Sequence, residues 1–238
     1  MDQIKMVVFD MAGTTVKDDN EVERCFVLAA QKTGLKYTTE EIIAMMGWSK
    51  RLVFETLWKK NLPNAEDAEI QYKTDHSYAE FKVILENNYL TQSVSPVEGA
   101  KEIFSYLKKE DVKIVLTTGF YRKVTDIILQ RLGWDKELDE NYKGNSNSII
   151  DLSVSSDQVA SGRPSPAMIN KAMEVFGVSD PKRVVKIGDT PSDLQAGRNA
   201  NCYLSLGVTY GTHSYDQLAK YDNDGLLDSI VELKKYLV

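Results

Sequence analysis

Met6-Val7-Val8-Phe9-Asp10, followed at once by Met11-Ala12-Gly13-Thr14-Thr15, is the stretch from which the fold can be read. Four apolar residues in a row between Lys5 and Asp10 show no amphipathic period. A run that short and continuous predicts a strand buried on both faces, as in a parallel sheet. Residues 112–116, 184–187 and 202–206 read the same way, each ending in small or polar residues. Helical patterns lie between them over residues 97–109, 122–132, 165–176 and 191–199. Strands that alternate with helices predict a doubly wound α/β fold with a mostly parallel sheet.

Residues 18–92 interrupt the alternation. They read as helices without a strand, so we expect an α/β core made of residues 1–17 and 93–238, with a helical cap inserted after the first strand. Thr38-Thr39-Glu40-Glu41 is a capping-box signature, and Gly47 suits the end of that short helix. Ser49 and Asn64 are candidate caps for the two helices that follow. Residues 226–237 read as an amphipathic terminal helix.

Composition narrows the function classes. The 238 residues are 42% hydrophobic and carry a net charge of −6. Such a chain repels nucleic acid and anionic membranes, and we expect it to bind neither. No apolar stretch reaches membrane-spanning length, and no signal-peptide pattern opens the sequence. Cys25 and Cys202 read as lone thiols of a cytoplasmic core. Walker A, dinucleotide-binding and Cys/His zinc patterns are missing.

In open α/β sheets ligands bind beyond the carboxyl ends of the strands, and there the chemistry-bearing residues collect. Asp10 follows the first apolar run, Thr117-Thr118-Gly119 the second, and Gly188-Asp189-Thr190 the third. Asp10, Asp189 and Asp193 make a hard-oxygen set suited to Mg²⁺, which takes a few carboxylates plus phosphate and water. Thr118 offers a hydroxyl to a phosphate oxygen, with Gly119 permitting close approach. Arg163, between turn-forming residues, offers a permanent charge in a fork. A nucleophile, a metal site, a hydroxyl donor and a cation are the parts that phosphoryl transfer needs.

These motifs, in this order, resemble those of haloacid-dehalogenase-superfamily phosphohydrolases, in the variant seen in the phosphonatases. The segments that carry the resemblance are Asp10-Met11-Ala12-Gly13-Thr14-Thr15, Leu116-Thr117-Thr118-Gly119, Ala160-Ser161-Gly162-Arg163-Pro164 and Lys186-Ile187-Gly188-Asp189-Thr190-Pro191-Ser192-Asp193. The resemblance implies that Asp10 is both nucleophile and metal ligand. It implies further ligation by the Ala12 carbonyl and Asp189, with Asp193 supporting the metal, and phosphoryl binding by Thr118 and Arg163. The helical insertion is then a mobile cap that excludes water.

Typical phosphatases of this superfamily place an acidic residue two positions after the nucleophile to protonate the leaving group; here that residue is Ala12. Met46-Gly47-Trp48-Ser49-Lys50 resembles the segment that bears an imine-forming lysine in the phosphonatases, and Lys50 takes that position. Arg51-Leu52-Val53-Phe54 departs from the histidine-containing pattern that follows there. The sequence therefore puts first an Mg²⁺-dependent hydrolase of a small phosphorylated metabolite. In it Lys50 is a substrate-binding cation, and Trp48 is either a pocket wall or cap–core packing. An imine-forming hydrolase of a phosphonate comes second, and a catalytically inert binding module last. The oligomeric expectation is a monomer or homodimer.

Overall fold

The computed structural model describes residues 4–237. The chain runs β1 (Met6–Asp10), α1 (Glu21–Thr33), α2 (Thr39–Ala44), α3 (Lys50–Asn61), α4 (Asp67–Thr91), α5 (Ala100–Lys109), β2 (Lys113–Thr118), α6 (Arg122–Leu132) and β3 (Leu152–Ser155). It continues through α7 (Ala167–Phe176), β4 (Val184–Gly188), α8 (Pro191–Asn199), β5 (Leu204–Val208), α9 (Tyr215–Leu218) and β6 (Gly225–Leu227). The six strands form one sheet in the order β3-β2-β1-β4-β5-β6, and every pairing is parallel.

Side chains alternate across the sheet with period two. Val7, Phe9, Ile114, Leu116, Val185 and Ile187 face a core shared with α5, α6 and the helices that follow β1. Met6, Val8, Val115, Val154 and Val184 face a second core, where Met168, Ile169 and Ala172 of α7 and Ala196 of α8 cover them. Both faces are apolar and covered, which is why these strands read as continuous apolar runs. The winding reverses at β1 and β4, which are hydrogen-bonded neighbours. The carboxyl ends of those two strands therefore open a crevice at the topological switch point.

Between β1 and α5 the chain makes four helices, α1–α4. Phe26 stacks on Phe54 at 4.5 Å, and Phe81 meets Phe54 edge-on at 5.9 Å, tying α1, α3 and α4 together. Trp58 Nε1 donates to Ser77 Oγ at 2.9 Å. Polar contacts join α4 to α6 and the residue before it. Tyr121 donates to Glu86 at 2.7 Å and Lys123 pairs with Glu86 at 2.6 Å, while Arg131 donates to the carbonyls of Leu90 and Gln92. The capping box at Thr38 and Glu41 forms in both directions.

The structure corrects the sequence reading in several places. β3 was absent from that reading, because Ser153 and Ser155 alternate with Leu152 and Val154 and leave no continuous apolar run. Residues 226–237 do not form an α-helix. Gly225–Leu227 instead extends the sheet beside β5, and Asp228-Ser229 breaks the chain before a 3-10 turn over Ile230–Tyr236. β5 begins two residues later than expected, at Leu204. Asn64 does not cap α4; Glu66 takes that position. Ser49 precedes α3 as expected but makes no side-chain capping bond.

Candidate active site

Asp10 ends β1, Thr118 ends β2, and Asp189 follows β4. Asp193 lies in the first turn of α8, which Pro191 opens and Thr190 caps by accepting from the Asp193 N–H. Oxygens of Asp10, Asp189 and Asp193 lie within 4.8 Å of one another, in a buried cluster that could hold a metal ion.

Arg163 joins the cluster from the loop before α7. Its Nη2 lies 2.7 Å from Asp10 Oδ1, and its Nη1 donates to Asp193 Oδ1. Lys186, which carried no role in the sequence reading, stands 2.7 Å from Asp193 Oδ1. Its signal was a lysine inside an otherwise apolar strand. Thr190 Oγ1 donates to the other Asp193 oxygen at 2.6 Å. Asp189 accepts from Thr14 Oγ1 at 3.1 Å and from the Thr212 N–H at 2.7 Å. Thr14 sits inside the first motif, whereas nothing in the sequence marked the Thr212 loop.

The electrostatics follow from burial and crowding. Burial pushes the Asp10 carboxyl up to about 7. Arg163 opposes the shift, and the negative charges of Asp193 and Asp189 add to it. Burial and the Asp193 charge also raise Asp189. For Asp193, burial disfavours the charge, but Arg163 and Lys186 overcome it and hold the group at about 2. Two buried carboxylates thus resist ionisation beside a third that is fully charged, which is the situation a divalent cation relieves. Arg163 Nε is buried without a partner, a donor left for an anionic ligand in a place where an unmade hydrogen bond is costly.

The helices after β1 close over the cluster. A cavity of about 30 Å³ is lined by Asp10, Ala12, Thr118, Gly119 and Arg163 from the sheet side. Asp18, Met46, Gly47, Trp48 and Lys50 line it from the other side. Gly47 takes φ +84°, and a Cβ there would stand 2.5 Å from Thr190 Oγ1. A Cβ on Gly119 would lie 2.9 Å from the carbonyl oxygens of both Gly47 and Trp48. The helical segment therefore meets the sheet edge backbone to backbone, and only glycine permits that approach. Thr118 Oγ1 accepts from the Phe120 N–H at 3.1 Å, leaving its hydroxyl hydrogen for a ligand.

Lys50, at the start of α3, is buried in this cavity. Its Nζ lies 3.9 Å from Met46 Sδ, and among the described residues it forms no ion pair. Burial, reinforced by the Arg163 cation, pushes the amine down to about 8. The structure thus brings together all the residues singled out from the sequence: Asp10, Ala12, Trp48, Lys50, Thr118, Gly119, Arg163, Asp189 and Asp193. It adds Asp18, Lys186 and Thr14.

Comparison with known proteins gives the family. The chain is 32% identical over 248 residues to a phosphonoacetaldehyde hydrolase of Bacillus cereus, covering 98% of this chain and 85% of the relative. A phosphonoacetaldehyde hydrolase of Bacillus anthracis is 33% identical over 217 residues, covering 88% and 77%. Among solved structures, a phosphonoacetaldehyde hydrolase-like protein from Oleispira antarctica superposes with a TM-score of 0.73 at 18% identity, covering 98% and 91%. A hydrolase from Pseudomonas syringae gives 0.76 at 19%, covering 98% and 97%; at such identities the likeness is one of fold. The haloacid dehalogenase-like hydrolase model matches residues 4–201, and the chain belongs to that family of hydrolytic enzymes.

Proposed function

We propose that this chain is an Mg²⁺-dependent hydrolase that breaks the C–P bond of a small phosphonate bearing an aldehyde, with Asp10 as nucleophile and Lys50 as imine-forming amine. The observation that carries the reading is Lys50, buried in the same cavity as Asp10 and held at about 8. A lysine that only binds an anion gains from staying charged. An amine that attacks a carbonyl must be neutral, and burial next to another cation is how that form is favoured. The names of the curated relatives support the same substrate class.

Asp10, Asp189 and the Ala12 carbonyl would hold the ion, with Asp193 behind them and already bonded to Arg163, Lys186 and Thr190. When bound, Mg²⁺ supplies charge neutralisation at the phosphoryl oxygens. The phosphoryl group would take the free Arg163 Nε and the Thr118 hydroxyl. The Lys50 amine condenses with the aldehyde, water leaves, and the protonated imine becomes an electron sink. Asp10 attacks phosphorus, the C–P electron pair flows into the imine, and an enamine leaves. Ala12 in place of an acid suits this route, because a carbon leaving group drained by an imine needs no proton from that position. Water then hydrolyses the aspartyl phosphate.

The cavity of about 30 Å³ holds water but no substrate, so we propose that α1–α4 act as a cap over residues 18–92 that opens for entry and closes to exclude water. Cytoplasmic location and a monomeric or homodimeric state belong to the same proposal; no described helix is long and apolar enough to cross a membrane. The phosphate-ester reading, in which Lys50 is a cation, is separated by Lys50→Arg. The imine route predicts loss of phosphonoacetaldehyde cleavage, whereas a Lys50→Arg protein that keeps hydrolysing phosphate esters, with no such cleavage in the wild type, would favour the ester reading.

A further inference from the structure

Imine formation needs an acid as well as a neutral amine. We propose that Asp18 is that acid, donating the proton with which the carbinolamine hydroxyl of the Lys50 adduct leaves as water. The inference rests on the imine reading above.

Position is the first support. Asp18 lines the small cavity together with Lys50 and Asp10. It also lines an outer cavity of about 600 Å³ bounded by Lys17, Pro96, Glu98, Tyr210 and Asp228. One carboxyl thus borders both the cavity of the reacting groups and the larger one, so it can give a proton in the first and regain one from the second. Ala12 lines the same small cavity but has nothing to give.

The bonding of Asp18 is the second support. Its Oδ1 accepts from the Glu21 N–H at 2.7 Å and from the Val22 N–H at 3.4 Å, capping the first turn of α1. One oxygen is fixed by the backbone, and the other is left to carry a proton. Glu21 sits beside it, and two adjacent carboxyls in a confined place share a proton rather than both ionise. Burial, then the Glu21 carboxyl, pushes Asp18 up to about 7, against the pull of the two backbone N–H groups. Glu21 moves down as the partner. The other titratable groups facing Asp18 are Cys25 on α1, Lys50 on α3 and Tyr89 on α4.

The step balances. Neutral Lys50 adds to the aldehyde, and one amine proton moves to the carbonyl oxygen to give the carbinolamine. Asp18 gives its proton to that hydroxyl, the C–O bond breaks with water leaving, and the nitrogen lone pair forms the C=N bond. The product is a protonated imine, a water molecule and an Asp18 carboxylate.

Asp18→Asn is the sharp test, because an amide oxygen preserves both capping bonds while carrying no acidic proton. Asp18→Ser, which also caps a helix, guards against a folding defect in the first variant. The readout is the rate at which phosphonoacetaldehyde with borohydride forms a Lys50 adduct, followed against pH. In the wild type the rate falls below about 8 as Lys50 is protonated, and falls above about 7 as Asp18 loses its proton. The profile is therefore a bell with its maximum between these values. Both variants should form the adduct slower by on the order of 10²-fold, the lower end for a lost general acid, and should lose the alkaline limb. A folded variant that forms the adduct at the wild-type rate with the bell intact overturns the role of Asp18 while leaving the imine reading standing. No adduct in the wild type overturns both.

Discussion

On the sheet side of the cavity, charge is answered by charge: Arg163 pairs with Asp10 and Asp193, and Lys186 with Asp193. On the helical side, Lys50 is as buried as these groups and faces a thioether. Arg163 is accordingly held charged by Asp10 and Asp193 despite its burial, whereas Lys50 is pushed toward neutrality. The two cations share a cavity and are pushed toward opposite charge states. In the proposed reading the sheet side takes the phosphoryl group, and the helical side reacts with whatever the phosphorus is attached to.

Asp10→Asn should have the largest effect. An amide is a poor nucleophile and a weaker metal ligand, so turnover should drop by at least ~10⁴. The fold should be kept, since the substitution removes a buried charge; near-wild-type turnover in a folded variant would remove the aspartyl-phosphate route. Lys50→Arg comes next. It keeps a cation but cannot form a stable imine, so phosphonoacetaldehyde cleavage should fall by roughly 10³ or more, with phosphate inhibition retained. A drop of only a few-fold would erase the distinction between the two cations.

Arg163→Lys should be milder. Charge persists but the fork that spans Asp10 and Asp193 is lost, and we expect a fall in kcat/KM of about 10–100-fold, or 1.4–3 kcal/mol. An Arg163→Lys protein as active as the wild type would show that the fork plays no part.

The smallest effect is on stability and is opposite in sign. The folded-state pKa of Lys50 lies below its ordinary value, so the unfolded chain holds that proton more tightly. The burial cost is full below about 8 and fades as the pH rises toward 10.5. Lys50→Met keeps the shape and removes a cost on the order of 3 kcal/mol at neutral pH. Calorimetry at pH 7 should show a Tm raised by several degrees, at roughly 2–4 °C per kcal/mol for a chain of this size. The gain should shrink toward pH 10.5, and a lowered Tm at pH 7 would mean that Lys50 is held by partners and costs nothing.

The same contrast marks what the sequence makes legible. Strands buried on both faces announce themselves, and their last residues point to Asp10, Thr118 and Asp189. β3 hides because Ser153 and Ser155 replace half of the apolar signal, and β6 because its three residues precede a segment with helical spacing. Within the site, Arg163 is visible in Gly162-Arg163-Pro164, yet its bridge between Asp10 and Asp193 is a tertiary fact. Asp18 stands in the sequence only as the first residue of the helical insertion, and the packing of the helices over β1 brings it to Lys50. Even Lys50, matched by its position after Met46-Gly47, is an ordinary lysine until its burial is known. Propensity and pattern report local structure; the pKa of a side chain is set by neighbours far along the chain.

The central claim is that Lys50 reacts as an amine. Phosphonoacetaldehyde and borohydride added to the Mg²⁺-loaded protein, followed by peptide mass spectrometry, test it most directly. The account predicts an N-ethyl group on Lys50, left when the imine is reduced after the C–P bond has broken, with loss of activity in step with the modification. An unmodified Lys50 in a protein that goes on releasing phosphate from phosphate esters would contradict it.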